Sequence, residues 1–372
     1  MLSMLKELGT LRAGRGGTVD PENGNRYRIL VKENDGSKTS YYFSVPVYRK
    51  NDGKLVKRAF SENAGRGSFE GSRTTVTLAE KVKLSNDEGA CLLYFPGRLG
   101  EIESECALWG KATLSPTLCG IACRTHSEAP FFFDLEVTER SLAVRANDKC
   151  FALMREKFRP FVTVSAIGSL ADEQVVSPLK ITYKQKADGL FRITVTPHAP
   201  KKEGMLFEIN LYENKLFGDT TVDSKNPNAN NAFGTTAFLG NSTFYGDMWL
   251  YSRPDLGKMP DIHTKRIQSA KLYLPLLSGT AAQLRAVGIE ARFCSFGTTW
   301  NKKTSEMPVF TESHEENGYL VLDVTRFFTD EVTDLPRLTN GFIIRTKEKS
   351  QVAVIPTADS SMYPQILEIK TK

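Results

Sequence analysis

The stretch KITYKQKADGLFRITV, residues 180–195, decides the fold class. Apolar and polar residues alternate in KITYKQ and again in LFRITV, which is typical of half-buried strands. Asp188-Gly189 lies between the two runs, and this pair is the strongest local signal for a tight hairpin because both residues tolerate positive φ. The stretch therefore predicts two antiparallel strands joined by a short turn.

The same signals recur along the chain. Three more such pairs separate apolar runs: Asp35-Gly36, Asp52-Gly53 and Asn317-Gly318. Residues 2–9 favour a short amphipathic helix, but no segment alternates a strand with a long helix as a parallel α/β sheet requires. We therefore expect an all-β fold of two or three antiparallel β-sandwich units, the C-terminal one a jelly roll.

The length of 372 residues is typical of two or three domains. Composition changes at residues 213–232, a segment rich in Asn and poor in apolar side chains, which indicates a boundary. We expect a short helix or arm at 1–14, a β-rich region at 15–213, and a C-terminal domain at 214–372. The middle region could divide again near residue 128, where a new strand-rich run begins.

Composition and charge exclude several classes of function. The chain is 40% hydrophobic and 25% charged, as folded globular proteins are, and its net charge of +6 is too small for a nucleic-acid-binding footprint. Apolar runs are too short to insert in a membrane. Lys6 and Glu7 interrupt the N-terminal apolar residues, so we read no signal peptide and expect synthesis in the cytoplasm.

Five of the six cysteines fall within 60 residues of one another. Cys119, Cys123 and His126 have the spacing that would place all three on one helix face, and Cys106 or Cys91 could complete a tetrahedral zinc site. The alternative is a set of buried, reduced thiols. Gly120 disfavours the helix that the zinc interpretation needs.

Two glycine-rich basic segments, LRAGRGG at 11–17 and AGRG at 64–67, resemble phosphate-binding loops in composition. Neither contains a GxGxxG or GxxxxGK[ST] motif, and neither lies between a strand and a helix. We interpret both as loops.

The C-terminal 155 residues or so carry a series of short motifs in a fixed order. An Asp-Thr-x-Val strand opens it, followed by an Asn-rich turn, a Phe-Gly step, a Leu-x-Gly step, an aromatic strand and a Thr-Trp-Asn turn. These correspond to Asp219, Thr220, Val222, Asn228, Asn230, Asn231, Phe233, Gly234, Leu239, Gly240, the MWLYS segment at 248–252, Thr299, Trp300 and Asn301. A strand with Tyr319, Asp323, Val324 and Thr325 follows, then Gly341 and Phe342, then Pro364, Leu367 and Ile369. This order resembles the DNRLRE domain family, which overlaps with carbohydrate-binding modules and with propeptide-like jelly rolls.

The resemblance implies a non-catalytic bacterial protein that binds polysaccharide or acts as an adhesive, structural unit. Aromatic rings that stack on sugar faces and polar groups that bind hydroxyls would form the site. The candidates are Tyr245, Trp249, Phe296, Trp300 and Asn301. The alternative is that these aromatic side chains are core or turn anchors.

The same segment contains oxygen-rich side chains that could hold a structural calcium ion. Asp219, Asp223 and Asn228 would supply carboxylate and carbonyl ligands, although the segment lacks a D-x-D-x-D loop. The alternative is that the Asn residues are turn formers.

Two other functions stay open. The chain could be a subunit of an assembled particle such as a spore coat, phage or surface layer, with a protein partner or a homo-oligomer in place of a polysaccharide. It could also be a glycan-active enzyme, which would need an acid-lined cleft in residues 15–213.

Overall fold

The structure is a computed structural model that describes residues 4–63, 65–127, 129–198, 203–213, 215–259, 262–263, 265–278, 283–329 and 339–371. The chain forms two compact units. Unit 1 comprises Met1–Glu7, Val47–Asn214 and Phe233–Thr235. Unit 2 comprises Leu8–Pro46, Lys215–Ala232 and Thr236–Lys372. Glu128, where the sequence predicted a further division, lies outside the described residues.

Helix α1 spans Met4–Leu11 and is followed by the strands of the first part of unit 2, which are β1 (Thr18–Asn25), β2 (Arg28–Lys32) and β3 (Lys38–Phe43). Unit 1 contains β4 (Ser61–Asn63), β5 (Arg66–Glu70), β6 (Thr75–Leu78), β7 (Val82–Asn86), β8 (Gly89–Tyr94), β9 (Leu99–Ile102), β10 (Ala107–Trp109), β11 (Ala112–Pro116), β12 (Gly120–Thr125), β13 (Phe131–Val137), β14 (Ala143–Asn147), β15 (Cys150–Glu156), β16 (Arg159–Ala171), β17 (Gln174–Ser177), β18 (Leu179–Ala187), β19 (Leu190–Pro197) and β20 (Met205–Leu211).

The rest of unit 2 contains β21 (Phe217–Asp223), β22 (Thr236–Ser242), β23 (Gly246–Pro254), β24 (Ile267–Pro275), β25 (Leu284–Ile289), β26 (Glu306–Glu312), β27 (His314–Glu316), β28 (Tyr319–Asp323), helix α2 (Thr325–Phe328), β29 (Phe342–Thr346), β30 (Val352–Pro356) and β31 (Ile366–Thr371). Short 3₁₀ turns lie at Leu256–Lys258 and Trp300–Lys302. No helix of the described residues is long and apolar enough to cross a membrane.

Unit 1 is built from two antiparallel sheets. One has the order β14-β15-β16-β20-β12-β11-β10-β9 with β17 paired to β16, and the other has the order β18-β19-β13-β8-β7-β6-β5-β4. Phe133 of β13 stacks on Phe207 of β20 with ring centroids 5.8 Å apart, so the two sheets face each other across a shared core. The predicted hairpin at 180–195 is β18 and β19, which pair antiparallel around Gly189 at φ +73°.

Unit 2 also has two antiparallel sheets. Their orders are β1-β2-β3-β31-β24-β28-β27 and β26-β25-β29-β23-β22-β30, with β21 paired to β23. The four sheets confirm the predicted all-β fold of antiparallel β-sandwich units.

The division of the chain differs from the predicted boundaries at Phe233–Thr235, which belong to unit 1, and more extensively at residues 8–46. Strands β1 to β3 fall in the range 15–213, but the structure places them in unit 2, because β3 pairs along its whole length with β31. Tyr42 lies opposite Leu367 in this ladder, and both side chains are fully buried. Residues 8–46 are thus a structural part of the unit that contains the last strand.

A network of ion pairs fixes the segment after α1 to unit 2. The Arg15 guanidinium binds the carboxylates of Glu368 and Glu316, and it donates to the Tyr273 hydroxyl at 3.0 Å. Arg12 pairs with Glu33 at 2.8 Å, and its guanidinium is almost completely buried. Charges buried to this extent require partners, and these arginines have them.

Candidate functional site

Two tryptophans of unit 2 form a half-buried pair. Trp249 lies on β23 and Trp300 begins the 3₁₀ turn at 300–302, and their ring centroids are 5.0 Å apart with the planes inclined by 56°. Sequence analysis named both residues as candidates for a polysaccharide site. The structure brings them together although 51 residues separate them in the chain.

The pair rests on a small apolar cluster. Val222, Tyr251, Ile289, Phe293 and Ile343 are buried, and both tryptophans pack against them. Because strands β21, β23, β25 and β29 all contribute to this cluster, the indole rings stand on a hydrogen-bonded sheet rather than on a free loop. A platform of this kind loses little conformational entropy when a ligand binds.

The Asn-rich segment holds the loop that carries Trp300. The Asn301 backbone amide donates to the Pro227 carbonyl at 3.0 Å, and the Asn301 side chain donates to the Asn228 side-chain oxygen at 2.9 Å. Asn230 donates to the carbonyls of Ser295 and Thr298 at 2.8 and 2.9 Å. Two motifs of the resemblance, the Asn-rich turn and the Thr-Trp-Asn turn, therefore bind each other.

Two cations lie against the indole rings. The Lys303 ammonium is 3.5 Å from the Trp300 centroid and 4.3 Å from that of Trp249. The Arg345 guanidinium carbon lies 5.1 Å from the Trp249 centroid, and this side chain also binds Glu306 at 2.9 Å. Partial desolvation lowers the pKa of Lys303, and the charge of Arg345 lowers it further. We call the set Trp249, Trp300, Asn301, Lys303 and Arg345 the tryptophan surface.

The other predicted aromatic residues have different positions. Tyr245 is buried, with its ring 5.8 Å from that of Phe238, so it is a packing residue at the hairpin between β22 and β23. Phe296 is half-buried in the same loop as Trp300. Of the five candidates, the structure groups Trp249, Trp300 and Asn301.

The predicted calcium ligands do not converge. Asp219 and Asp223 are four residues apart on strand β21, so about 13 Å of extended chain separates them. Asp223 accepts from the backbone and side-chain nitrogens of Asn226 at 2.8 and 2.9 Å, as a turn-forming residue does. Asn228 is engaged by Asn301, as described above.

Asp219 instead belongs to a buried pair of acids. Its Oδ2 accepts from the Ala358 amide at 2.5 Å, and the neighbouring Asp359 binds the Lys215 ammonium at 2.6 Å. Burial raises the pKa of Asp219 well above its usual range, and the nearby charge of Asp359 raises it further. The protonated form of this carboxyl group is therefore favoured relative to that of an aspartic acid in water.

The predicted zinc ligands are also apart. Cys119 immediately precedes β12 and Cys123 lies within it, so the segment is extended and the helical spacing does not apply. Both thiols are buried, and burial raises the pKa of Cys123 above its ordinary value. His126 is exposed and bonds the Thr113 hydroxyl at 2.7 Å. The described residues contain no group of three or more His, Cys, Asp or Glu side chains arranged to hold a metal ion.

Sequence reasoning missed Lys303 and Arg345. A 3₁₀ turn at 300–302 eclipses residues i and i+3, so Lys303 follows Trp300 on one side of the turn. That spacing is a usable signal once the turn is known. Arg345 could have been found as the polar residue that interrupts the apolar run GFII at 341–344.

The fold and the geometry define an all-β protein with an aromatic, cation-flanked surface on its second unit. No protein-family model matches the chain, and no curated protein matches it either. The resemblance to DNRLRE domains stays a prediction.

Proposed function

We propose that this chain is a non-catalytic binding protein whose tryptophan surface binds a polysaccharide. The observation that supports the proposal is the Trp249–Trp300 pair, in which two partly exposed indoles stand 5.0 Å apart on a rigid sheet. Sugars present apolar C–H faces to such rings. Asn301 is exposed beside the pair, and its side-chain oxygen can accept from hydroxyl groups.

The flanking charges suit this role. Lys303 and Arg345 already contact the indoles, and Arg345 has a carboxylate partner in Glu306. A surface whose cations are engaged in this way is ordered before the ligand arrives, and preorganisation of that kind favours affinity.

Affinity electrophoresis of the full chain tests the proposal. The chain is run through gels that contain single acidic or neutral polysaccharides, beside the variants Trp300→Ala and Phe132→Ala. Phe132 is the matched control, since it is an aromatic residue of unit 1 with 47% of its surface exposed. We expect one polymer to retard the wild type and Phe132→Ala but not Trp300→Ala.

Retardation that Trp300→Ala retains, with the variant folded by circular dichroism, would place the site elsewhere. If no polymer retards the chain, the polysaccharide proposal is wrong.

A subunit of an assembled particle is the second candidate. Strand β26 lies at the end of its sheet, and it exposes Phe310 by 52% and Met307 by 37%. An edge strand with exposed apolar side chains can pair with another chain. Light scattering that increases with protein concentration, and that Phe310→Lys abolishes, would support this function.

A further inference from the structure

A groove in unit 1 has the size of a small-molecule site. It is an open groove of about 620 Å³ and is lined by Gly65, Arg66, Ala79, Glu80, Gly97, Arg98, Leu99 and Gly100. Known ligand pockets fall within roughly 300–1,000 Å³. The lining residues come from the start of β5, the connection between β6 and β7, the connection between β8 and β9, and the start of β9.

The backbone of the groove is tightly held. Gly97 has φ +96°, and a Cβ atom there would lie 2.6 Å from the Cα of Gly110, so no side chain can replace its hydrogen. The Gly110 amide donates to the Arg98 carbonyl at 3.0 Å, which fixes the main chain that carries the Arg98 side chain. The Gly97–Arg98 part of the groove wall is therefore held by packed and hydrogen-bonded backbone.

The charges that line the groove have no partners among the residues that the structure describes. Arg66, Arg98 and Glu80 are exposed, and within the described part of the chain none of the three side chains makes a hydrogen bond or ion pair. By contrast, Arg49 of unit 1 binds both Asp52 and Glu70. Two guanidiniums without carboxylate partners, on a fixed backbone, are donors that a ligand can use.

We propose that this groove binds a small molecule that carries one oxyanion group, a carboxylate, sulfate or phosphate. The guanidinium fork matches these groups in a bidentate manner. Two guanidiniums and one carboxylate leave a net charge of +1, which complements a single oxyanion and not a polyanion. Leu99 and Ala79 supply an apolar wall for the body of the ligand. The site lies in unit 1 and is independent of the tryptophan surface.

Ligand-observed NMR titration of the full chain at low ionic strength tests the proposal. The probes are glucuronate, glucose 6-sulfate and glucose 6-phosphate, with glucose as the neutral match. We expect the oxyanion sugars to bind at least about tenfold more tightly than glucose, because each charge-assisted hydrogen bond is of the strength that gives such a factor. The ranking of the three anions identifies the preferred oxyanion.

Variants at the lining residues give effects of opposite sign. Arg66→Gln and Arg98→Gln should each weaken oxyanion binding by about tenfold. Glu80→Gln should strengthen it by about threefold, because it removes the one like charge. Arg140→Gln is the matched control, since Arg140 is an exposed arginine of unit 1 outside the groove and should leave the affinity unchanged.

The Gln variants at exposed positions should keep the thermal unfolding midpoint of the wild type, which checks that they fold. Failure of all the oxyanion probes to bind would overturn the proposal. Binding that Arg66→Gln and Arg98→Gln leave intact, or that Glu80→Gln weakens, would overturn it as well.

Discussion

The tryptophan surface of unit 2 and the groove of unit 1 both present cations to solvent, but they differ in what the cations contact. In unit 2 Lys303 lies on two indoles and Arg345 binds Glu306. In unit 1 Arg66 and Arg98 have no such partners among the described residues. Engaged cations order an aromatic platform, whereas free cations attract an anion, so similar residue types support two different kinds of recognition.

The largest effect that we expect is the loss of an indole from the tryptophan surface. Trp300→Ala removes one of the two rings and should weaken polysaccharide binding by at least about tenfold, as removal of an aromatic hot-spot contact does at other interfaces. The oxyanion affinity of the groove should not change. Parallel measurement of both affinities in this one variant would show whether the two sites are independent; a joint loss would contradict that.

The second-largest effect concerns ionic strength, which should change ligand affinity at the groove more than at the tryptophan surface. Raising ionic strength from about 0.01 M to about 1 M shortens the Debye length from ~30 to ~3 Å. We therefore expect the affinity of the groove for glucuronate to fall by about tenfold, since its guanidiniums are exposed. Retardation of the chain by a neutral polysaccharide should change by less than about twofold, because stacking does not depend on charge. Equal salt dependence of the two affinities would contradict the distinction between charge-based binding in the groove and stacking at the tryptophan surface.

The raised pKa of the buried Asp219 should make the stability of unit 2 depend on pH. Its pKa is raised in the folded chain, so its contribution to stability is complete below the usual Asp pKa and is lost as pH rises through the raised value. Asp219→Asn mimics the protonated carboxyl and should raise the Tm by ~2–4 °C above pH 7, with the difference vanishing near pH 4. Thermal unfolding followed across this pH range checks it.

Asp35 is the matched control for that experiment. It is exposed, and its pKa is lowered by hydrogen bonds from Ser37 and by Lys370. Its contribution is therefore present above the usual Asp pKa and is lost as pH falls, so Asp35→Asn should not increase stability at high pH. If Asp219→Asn destabilises the chain at every pH, Asp219 acts as a carboxylate and the account of this pair is wrong.

The smallest effect concerns Lys303. Lys303→Met keeps the aliphatic contact with the indoles but removes the cation–π interaction, which is worth about 0.5–1 kcal/mol at an exposed site. We expect polysaccharide affinity to fall by only about two- to fivefold, because Trp300 becomes less restricted. Affinity electrophoresis measures this. A loss as large as that of Trp300→Ala would mean that the ammonium itself is the principal contact.

The fold class was predictable because period-two alternation and Asx-Gly turns are local signals. The pairing of β3 with β31 was not, since the local sequence at 38–43 contains no information about a partner more than 300 residues away. Likewise, the spacing of Cys119 and Cys123 would place them on one face only in a helix, and the residues from Gly120 onward form a strand.

The candidate site was predictable in part. Trp249 and Trp300 are conspicuous by residue type, but their contact depends on the loop that Asn228 and Asn230 hold in place. The unpartnered state of Arg66 and Arg98 depends on which side chains lie nearby, and that information exists only in the folded chain.

Tryptophan fluorescence tests the central claim most directly. The chain has three tryptophans. Because Trp109 is buried in unit 1, a change in emission or quenching on ligand binding comes from Trp249 and Trp300. A polysaccharide that retards the chain should shift the emission to shorter wavelength and protect it from acrylamide quenching, and Trp300→Phe should reduce both changes. Retardation by a polymer that leaves the emission and the quenching unchanged would contradict the account, because the ligand would then bind away from the tryptophan surface.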